Sequence, residues 1–379
     1  MYPKVYLKEG KDQALLRKHP WIFSGAIKNL NADLHNKLVY VCNAKGNILA
    51  TGYYQDSSIT VKILEFKEVE INQEFWNYKI GKAYNYRKAM NCFNTDTNSY
   101  RLVFAEADGL PGLIIDNYNG HCVMQAHTEF IHHHRFEIES AVQYALQDKY
   151  QSFYDKSEWA NDTSDTHDTI IQENGLSFYV NWKEGQKTGF FLDQKNNRNK
   201  LKTYCSNKTI LNTFSYSGGF SVYALAGAAK HVDSVDISAK AIEWCNQNVK
   251  LNQYSERHQA HVSDIFDFLK NSKDNFYDII VLDPPAFAKS MHHKHSAVQA
   301  YKRLNIMAMN KIKKGGLLFT FSCSGVIDKQ LFHSTTQSAA FEVKRDIKLI
   351  DHMYLPIDHP VLPYFPEGDY LKGEVLYVD

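Results

Sequence analysis

The chain has 379 residues, 44% of them hydrophobic and 22% charged, enough for two or three packed domains. A formal net charge of +1 excludes a globally basic nucleic-acid binder, so any such partner must be held by a local patch. The six cysteines (Cys42, Cys92, Cys122, Cys205, Cys245, Cys323) include no C-x-x-C pair, which favours reduced thiols in a cytoplasm; the N-terminus lacks an apolar signal core and no run approaches eighteen apolar residues, so neither export nor membrane insertion is expected.

Residues 1–70 read as a small, mostly-β module, with short alternating segments at 4–7, 38–42, 48–54 and 59–64 separated by turns such as Lys45-Gly46-Asn47. Residues 1–28 interleave six Lys or Arg with His19, Trp21 and Phe23, a pattern that suits either a solvated face over core aromatics or contact with RNA. The spacing predicts a helix over 72–92 that links two domains, with Phe75, Tyr78, Ile80, Ala83 and Tyr86 on one side and Lys79, Lys82, Arg87 and Lys88 on the other. Strands at 102–106, 112–118 and 122–126, a helix near 131–147, and strands near 151–155 and 176–182 outline a small central α+β domain, so that linker helix and domain occupy 71–184. The polar stretch 158–168 reads as an exposed loop. The runs His132-His133-His134 and His292-His293-Lys294-His295 lack companion carboxylate or cysteine spacing and read as solvated loops, with no metal expected.

From 185 to 379 strand and helix alternate as in a parallel sheet. The stretch Thr209 to Phe214 is short and β-prone, Gly218 and Gly219 allow a tight turn, and Phe220, Val222, Tyr223, Leu225 and Ala226 give a helical apolar face. The next strand, 231–236, ends in Asp236, eighteen residues after Gly218, near the spacing at which a carboxylate grips a ribose diol. A helix at 239–251, a strand at 258–263 ending at Asp264, a helix at 266–270 and a strand at 277–282 ending in Asp283-Pro284-Pro285-Ala286-Phe287 follow. A helix through 298–311, a strand at 317–321 capped by Ser322-Cys323-Ser324, a helix at 328–339 and strands near 341–350 and 374–378 complete the sheet. Carboxyl ends of successive strands thus present Gly218 and Gly219, Asp236, Asp264, Asp283 and Cys323, although a single Asp at such a place is commonly a helix N-cap. The loop is not G-x-G-x-x-G and no G-x-x-x-x-G-K-[ST] occurs, so an adenosyl ligand without a pyrophosphate fits better than NAD or a nucleoside triphosphate.

Pro284 and Pro285 remove two backbone donors and leave nearby carbonyls free to accept from a flat polar group, on which Phe287 can stack while Asp283 bonds an exocyclic amine or ring nitrogen. A Cys323 thiolate can add to C6 of a pyrimidine and so make C5 nucleophilic, which requires a nearby positive charge or helix N-terminus to depress the thiol pKa from about 8.5.

Phe214-Ser215-Tyr216-Ser217-Gly218-Gly219, Val235-Asp236-Ile237-Ser238, Leu282 to Lys289 and Ser322-Cys323-Ser324 resemble the successive motifs of class I S-adenosylmethionine-dependent RNA methyltransferases. The likeness extends to the PUA-headed large-subunit rRNA cytosine-C5 methyltransferases through the signature Gly185 to Arg198 and the PUA-like start His19-Pro20-Trp21-Ile22-Phe23-Ser24-Gly25. It implies an α/β, Rossmann-like class I methyltransferase domain at 185–379 behind an N-terminal mostly-β PUA-like domain and the small central α+β domain. The loop 214–219 would hold the methionine end of S-adenosyl-L-methionine, Asp236 with Ile237 the ribose region, and Asp264 the adenine amine. Asp283 would orient a cytosine and Cys323 would be the nucleophile. The signature, including Lys187, Thr188 and Arg198, would line the cofactor and substrate cleft beside Pro284, Pro285 and Phe287. Lys195 stands where the family usually has Arg, and Asp-Pro-Pro carries no second cysteine, so the acceptor of the C5 proton is unassigned.

The expected activity is therefore formation of 5-methylcytosine in large-subunit rRNA by a cytoplasmic enzyme, with the PUA-like module and the basic helix gripping RNA; a homodimer is allowed, and the sequence does not give the oligomeric state. Two other readings stay open: methylation of an exocyclic nitrogen, for which Asp283-Pro284-Pro285 suffices, and a non-catalytic RNA-binding protein that keeps the fold.

Overall fold

A computed structural model describes every residue except 161–166 and 289. The middle of the expected loop 158–168 and the end of the Leu282 to Lys289 motif therefore lie outside the described residues. The chain forms two compact units: the first comprises 1–171, 180–190 and 357–368, and the second 172–179, 191–356 and 369–379.

In the first unit a five-stranded sheet runs in the order Lys4–Tyr6, Leu38–Cys42, Ile48–Tyr54, Ile59–Glu65, Trp21–Phe23. Four of these strands follow the alternation in the sequence; alternate residues such as Val39, Val41, Val61 and Ile63 are buried in one cluster with Val5 and Ile22. Trp21–Phe23 is a short edge strand hidden in the basic and aromatic stretch. A second sheet, Ser99–Phe104, Leu113–Tyr118, His121–Ala126, Ser152–Asp155, is covered by helices Gln73–Ala89 and Arg135–Leu146.

The helix over 73–89 departs from expectation. Trp76, Ile80 and Ala83 join the core of the second sheet, so the helix is part of a domain rather than a bare linker. Its basic side is not wholly solvated either: Lys79 is buried against Glu65 (3.2 Å), and Arg87 is buried against Asp108 (2.5 Å) and the carbonyls of Arg101 and Asp358. A buried guanidinium needs such partners, and these spend two of the four cations expected to hold RNA. The first histidine run is also corrected, because His132 is buried with Nδ1 2.8 Å from Asp155 Oδ2 rather than solvated.

The second unit is built on a seven-stranded sheet, whose strands are numbered here within it: β1 (Thr209–Thr213), β2 (His231–Asp236), β3 (His258–Val262), β4 (Tyr277–Leu282), β5 (Ile312–Ser322), β6 (Ile347–Met353) and β7 (Lys372–Val378). Their spatial order is β3-β2-β1-β4-β5-β7-β6, with β1 to β5 parallel and β7 antiparallel to both β5 and β6. The central strands β1 and β4 are almost wholly buried, as expected of a sheet covered on both faces. Between β1 and β4 the chain switches direction of travel across the sheet, which opens a crevice at their carboxyl ends. Strand β5 begins at Ile312, five residues before the apolar run suggests, because Gly315 (φ +79°) and Gly316 are taken into an irregular register opposite β4.

Candidate functional site

The loop after β1 is backbone-strained. Phe214 (φ +51°), Tyr216 (φ +45°) and Gly218 (φ +79°) occupy the left-handed region, with right-handed or extended residues between them. Two of the three carry side chains that disfavour it, and strain of this kind concentrates where a ligand is gripped. The conformation is fixed from outside: Ser215 N–H donates to Val235 O (3.0 Å), Tyr216 N–H to Asp236 Oδ2 (2.9 Å), and Asn248 Nδ2 to Ser217 O (2.8 Å). The Tyr216 ring is wedged edge-on to Phe191 (5.2 Å) and Trp244 (5.9 Å). Gly218 caps the helix Gly219–Ala226, and a Cβ there would sit 2.6 Å from Cys245 Sγ. Burial pushes the Cys245 thiol up to about 12, so it serves as packing.

Asp236 accepts from Tyr216 N–H through one oxygen and from Ser238 N–H (2.9 Å) through the other. Each carboxylate oxygen has a further lone pair, so the group remains able to accept from a diol. Ile237 beside it is 71% exposed, an apolar side chain facing solvent at the strand end. Asp264 is the N-cap of the helix Ile265–Asn271, its Oδ1 accepting from Phe266 and Asp267 N–H (2.8 and 3.2 Å). Capping uses one oxygen, and Oδ2 makes neither bond.

At the end of β4, Asp283 Oδ1 accepts from Gln194 Nε2 (2.9 Å), and Gln194 Oε1 accepts from Asn197 Nδ2 (2.6 Å). Gln194 and Asn197, both buried, orient Asp283 and were not singled out as site residues, although they lie inside the signature that was. Pro284 is buried and Pro285 exposed. Phe287 is half-buried, with its ring 4.7 Å from that of Tyr301; packing, rather than an open stacking face, is what the structure gives it.

The tip of β5 is pinned on both sides of Cys323. Ser322 Oγ donates to Tyr301 Oη (3.0 Å) and Ser324 Oγ to Ala288 O (2.6 Å), and both serines are fully buried. Cys323 is partly exposed, whereas the other five cysteines are buried, and its Sγ lies 3.9 Å from Pro284 O. The tips of β4 and β5 thus bring Asp283, Pro284 and Cys323 together. A further residue arrives from β7: Lys372, opposite Ser322 in the sheet, is buried and its Nζ donates to Ser324 O (2.6 Å) and Tyr370 O (2.9 Å). Burial pushes its ammonium down to about 8.

The remaining residues of the signature divide between the units. Lys187 (φ +50°) is exposed in the first unit. Thr188, also there, is buried with Oγ1 donating to Asp116 Oδ2 (2.6 Å) and paired with Tyr118 Oη (3.0 Å), so its hydroxyl is committed to that fold rather than offered to a substrate. Arg198 likewise departs from the expectation of substrate contact. It is buried in a two-pronged pair with Glu173 (2.9 and 2.8 Å), donates to Phe191 O (2.8 Å), and lies under Gly219, where a Cβ would meet its Cδ at 3.1 Å. It supports the glycine loop from beneath.

The arrangement fits S-adenosylmethionine. Ser215 and Ser217 have buried Oγ atoms with no hydrogen-bond partner among the described residues, as polar atoms awaiting a ligand would have. Residues 134–359 match the S-adenosylmethionine-dependent methyltransferase family and residues 5–66 a PUA-like domain. A ribosomal RNA large subunit methyltransferase I from Tolumonas auensis is 36% identical over 99% of both chains, and its namesake from Yersinia pseudotuberculosis is 34% identical over 98% of both. Among solved structures, a SAM-dependent methyltransferase from Streptococcus mutans superimposes with a TM-score of 0.87 at 25% identity over 99% of this chain and 100% of that one. A methyltransferase in complex with SAH gives 0.88 at the same identity and coverage. With the strained loop, the acidic strand ends and these matches in hand, the chain belongs to the S-adenosylmethionine-dependent methyltransferases that carry an N-terminal PUA-like domain.

Proposed function

We propose that the protein methylates C5 of a cytosine in large-subunit rRNA through a covalent bond between Cys323 and C6. The observation that carries this reading is the single partly exposed cysteine among six, held at the tip of β5 with Sγ 3.9 Å from Pro284 O. The substrate class rests on the relatives named for large-subunit ribosomal RNA and on the PUA-like domain.

S-adenosylmethionine, when bound, supplies an electrophilic methyl group on a sulfonium that leaves as a neutral thioether. The loop 214–219 and Asp236 hold it; Ser215 and Ser217 have hydroxyls to give to its methionine end. Cys323, as thiolate, forms a bond to C6; the C5=C6 electron pair is displaced toward C5, which then carries the nucleophilic density. Asp283, oriented by Gln194, bonds the amino edge of the base. Once C5 has acquired the methyl group, its proton leaves to a base, the C5=C6 bond re-forms, and the C6–S pair returns to the thiolate. The target base must be unpaired or drawn from its stack, since C5 is otherwise covered by its neighbours.

The test uses rRNA fragments containing 5-fluorocytosine. With S-adenosylmethionine present, the wild-type chain should form a complex with that RNA stable to denaturant, because after methyl transfer fluorine cannot leave C5 as the proton does. Cys323→Ser should form none and lose at least about a thousandfold in methylation rate, in keeping with loss of a nucleophile acting as one unit with its site. Full activity of Cys323→Ser would refute the C5 mechanism and leave methylation of an exocyclic nitrogen at Asp283-Pro284-Pro285.

A further inference from the structure

Lys372 is a buried cation without a carboxylate partner among the described residues: its three N–H bonds include two to the neutral carbonyls of Ser324 and Tyr370. A charge removed from water to this degree is costly unless an opposite charge is near. The charges acting on it are, in descending strength, the sulfur of Cys323, then Asp369 and Asp328, with Lys329 opposing them. Asp369 is itself paired with Lys329, and Asp328 caps the helix Lys329–Val343. Tyr301 also lies near the sulfur; burial pushes its hydroxyl up to about 12, so it stays neutral. Lys372 is thus a buried cation anchored on the carbonyl of Ser324, the residue next to Cys323 at the tip of β5.

We propose that Lys372 is the positioning residue of the nucleophile: its ammonium, anchored on the carbonyl of Ser324, holds Cys323 as a thiolate and fixes the tip of β5 that carries it. The inference rests on the reading of Cys323 as nucleophile. No bond of Lys372 changes in the reaction; the thiol gives its proton to solvent at its exposed face, and the ammonium keeps its own. Burial lowers the basicity of Lys372, and negative charge on the Cys323 sulfur acts against that loss. The cation also serves after methylation, when C6–S cleavage returns negative charge to the sulfur.

Alkylation of the full chain by iodoacetamide, followed by mass spectrometry of the Cys323 peptide between pH 5.5 and 9.5, reads the thiolate directly without RNA or cofactor. The other five cysteines are buried and should react slowly. The wild-type midpoint should lie at least about one unit below the free-thiol value of about 8.5. In Lys372→Gln it should rise by one unit or more, a tenfold loss of alkylation rate at pH 7, whereas Lys372→Arg should keep the low midpoint. A wild-type midpoint at or above about 8.5 overturns the proposal whatever the variants do, as does an unchanged midpoint in a folded Lys372→Gln chain. A folded Lys372→Arg chain with the raised midpoint overturns it too, since charge would then not be the cause. Failure here is distinct from failure of the nucleophile reading, which the 5-fluorocytosine RNA and Cys323→Ser decide.

Discussion

Gly218→Ala tests the loop proposed to grip the cofactor. The added Cβ would lie 2.6 Å from Cys245 Sγ, 3.2 Å from its Cα and 3.3 Å from its Cβ, on a backbone at φ +79°. An alanine in the left-handed region costs about 1–2 kcal/mol, and forcing a methyl into a filled site about 1–3 kcal/mol more. The loop can relieve the contact only by moving away from the helix Ala239–Leu251, which would draw Ser217 O off Asn248 and Tyr216 N–H off Asp236. Much of the cost should thus appear as lost affinity for S-adenosylmethionine, at least tenfold in Kd for each 1.4 kcal/mol so expressed. Isothermal titration reads the affinity and thermal unfolding the remainder, with a drop of about 2–4 °C per kcal/mol for a unit of this size. Cys245→Ala removes the 2.6 Å contact but not the backbone strain. The double variant should recover about 1 kcal/mol or more of the sum of the two single effects. Unaltered affinity in a folded Gly218→Ala chain would refute the assignment of this loop to the cofactor, and strict additivity with Cys245→Ala would refute the contact as its cause.

Arg198→Met should destabilise the second unit by about 3–5 kcal/mol, since Glu173 would be left buried and unpaired; Arg198→Met with Glu173→Gln should recover much of it, as urea unfolding would show. If Arg198 instead contacted substrate, its loss would raise KM for RNA with no change in stability. Stability should also fall as pH drops from about 6.5 toward 4. Burial holds His258 down at about 4, so the unfolded chain binds the proton that the folded chain refuses, and the stability present above 6.5 is lost through that window. His258 faces His231, His261 and Asp233 and is only half-buried by area, which limits its share to about 2 kcal/mol; His258→Asn should flatten the acid limb by that amount in melts run across the window.

The parts of this fold that were legible in the sequence are those in which neighbours in sequence remain neighbours in space. Four strands of the first sheet showed their alternation, β1 and β4 showed apolar runs leading to Gly218 and Asp283, and β2 and β3 were placed ahead of Asp236 and Asp264. Where one residue type has two physical uses, sequence alone could not choose. Lys79 and Arg87 look like a solvated stripe until Glu65 and Asp108 are seen to bury them, and both partners lie outside the helix. Asp264 proved to be both an acidic strand end and an N-cap. Arg198 and Thr188 look like ligand-binding side chains within a functional signature, yet each is answered by an acid, Glu173 or Asp116, far away along the chain.

The charge required beside Cys323 shows why the rest was hidden. Chemistry demanded a cation or a helix N-terminus near the thiol, but inspection of residues adjacent to Ser322-Cys323-Ser324 finds none. The cation proposed for it lies on β7, the last strand in the chain, which inserts antiparallel between β5 and β6, so that Lys372 lands opposite Ser322 from fifty residues away. Strand order, unlike strand existence, is not written in local periodicity: β6 pairs with β7 alone, so the place between β5 and β6 is left for the last strand. A reader who knew that β7 fills that gap would have had to look for a cation at the start of β7, and Tyr370-Leu371-Lys372 supplies it: Lys372 on the carbonyl of Ser324, and Tyr370 with its hydroxyl 2.7 Å from Asp193 in the signature. One short segment therefore ties the strand of Cys323 to the stretch that orients Asp283, so a change at Lys372 that moved only charge and one that moved Tyr370 should be separable: the first alters the pH dependence of thiol reactivity, the second the hold of Gln194 on Asp283.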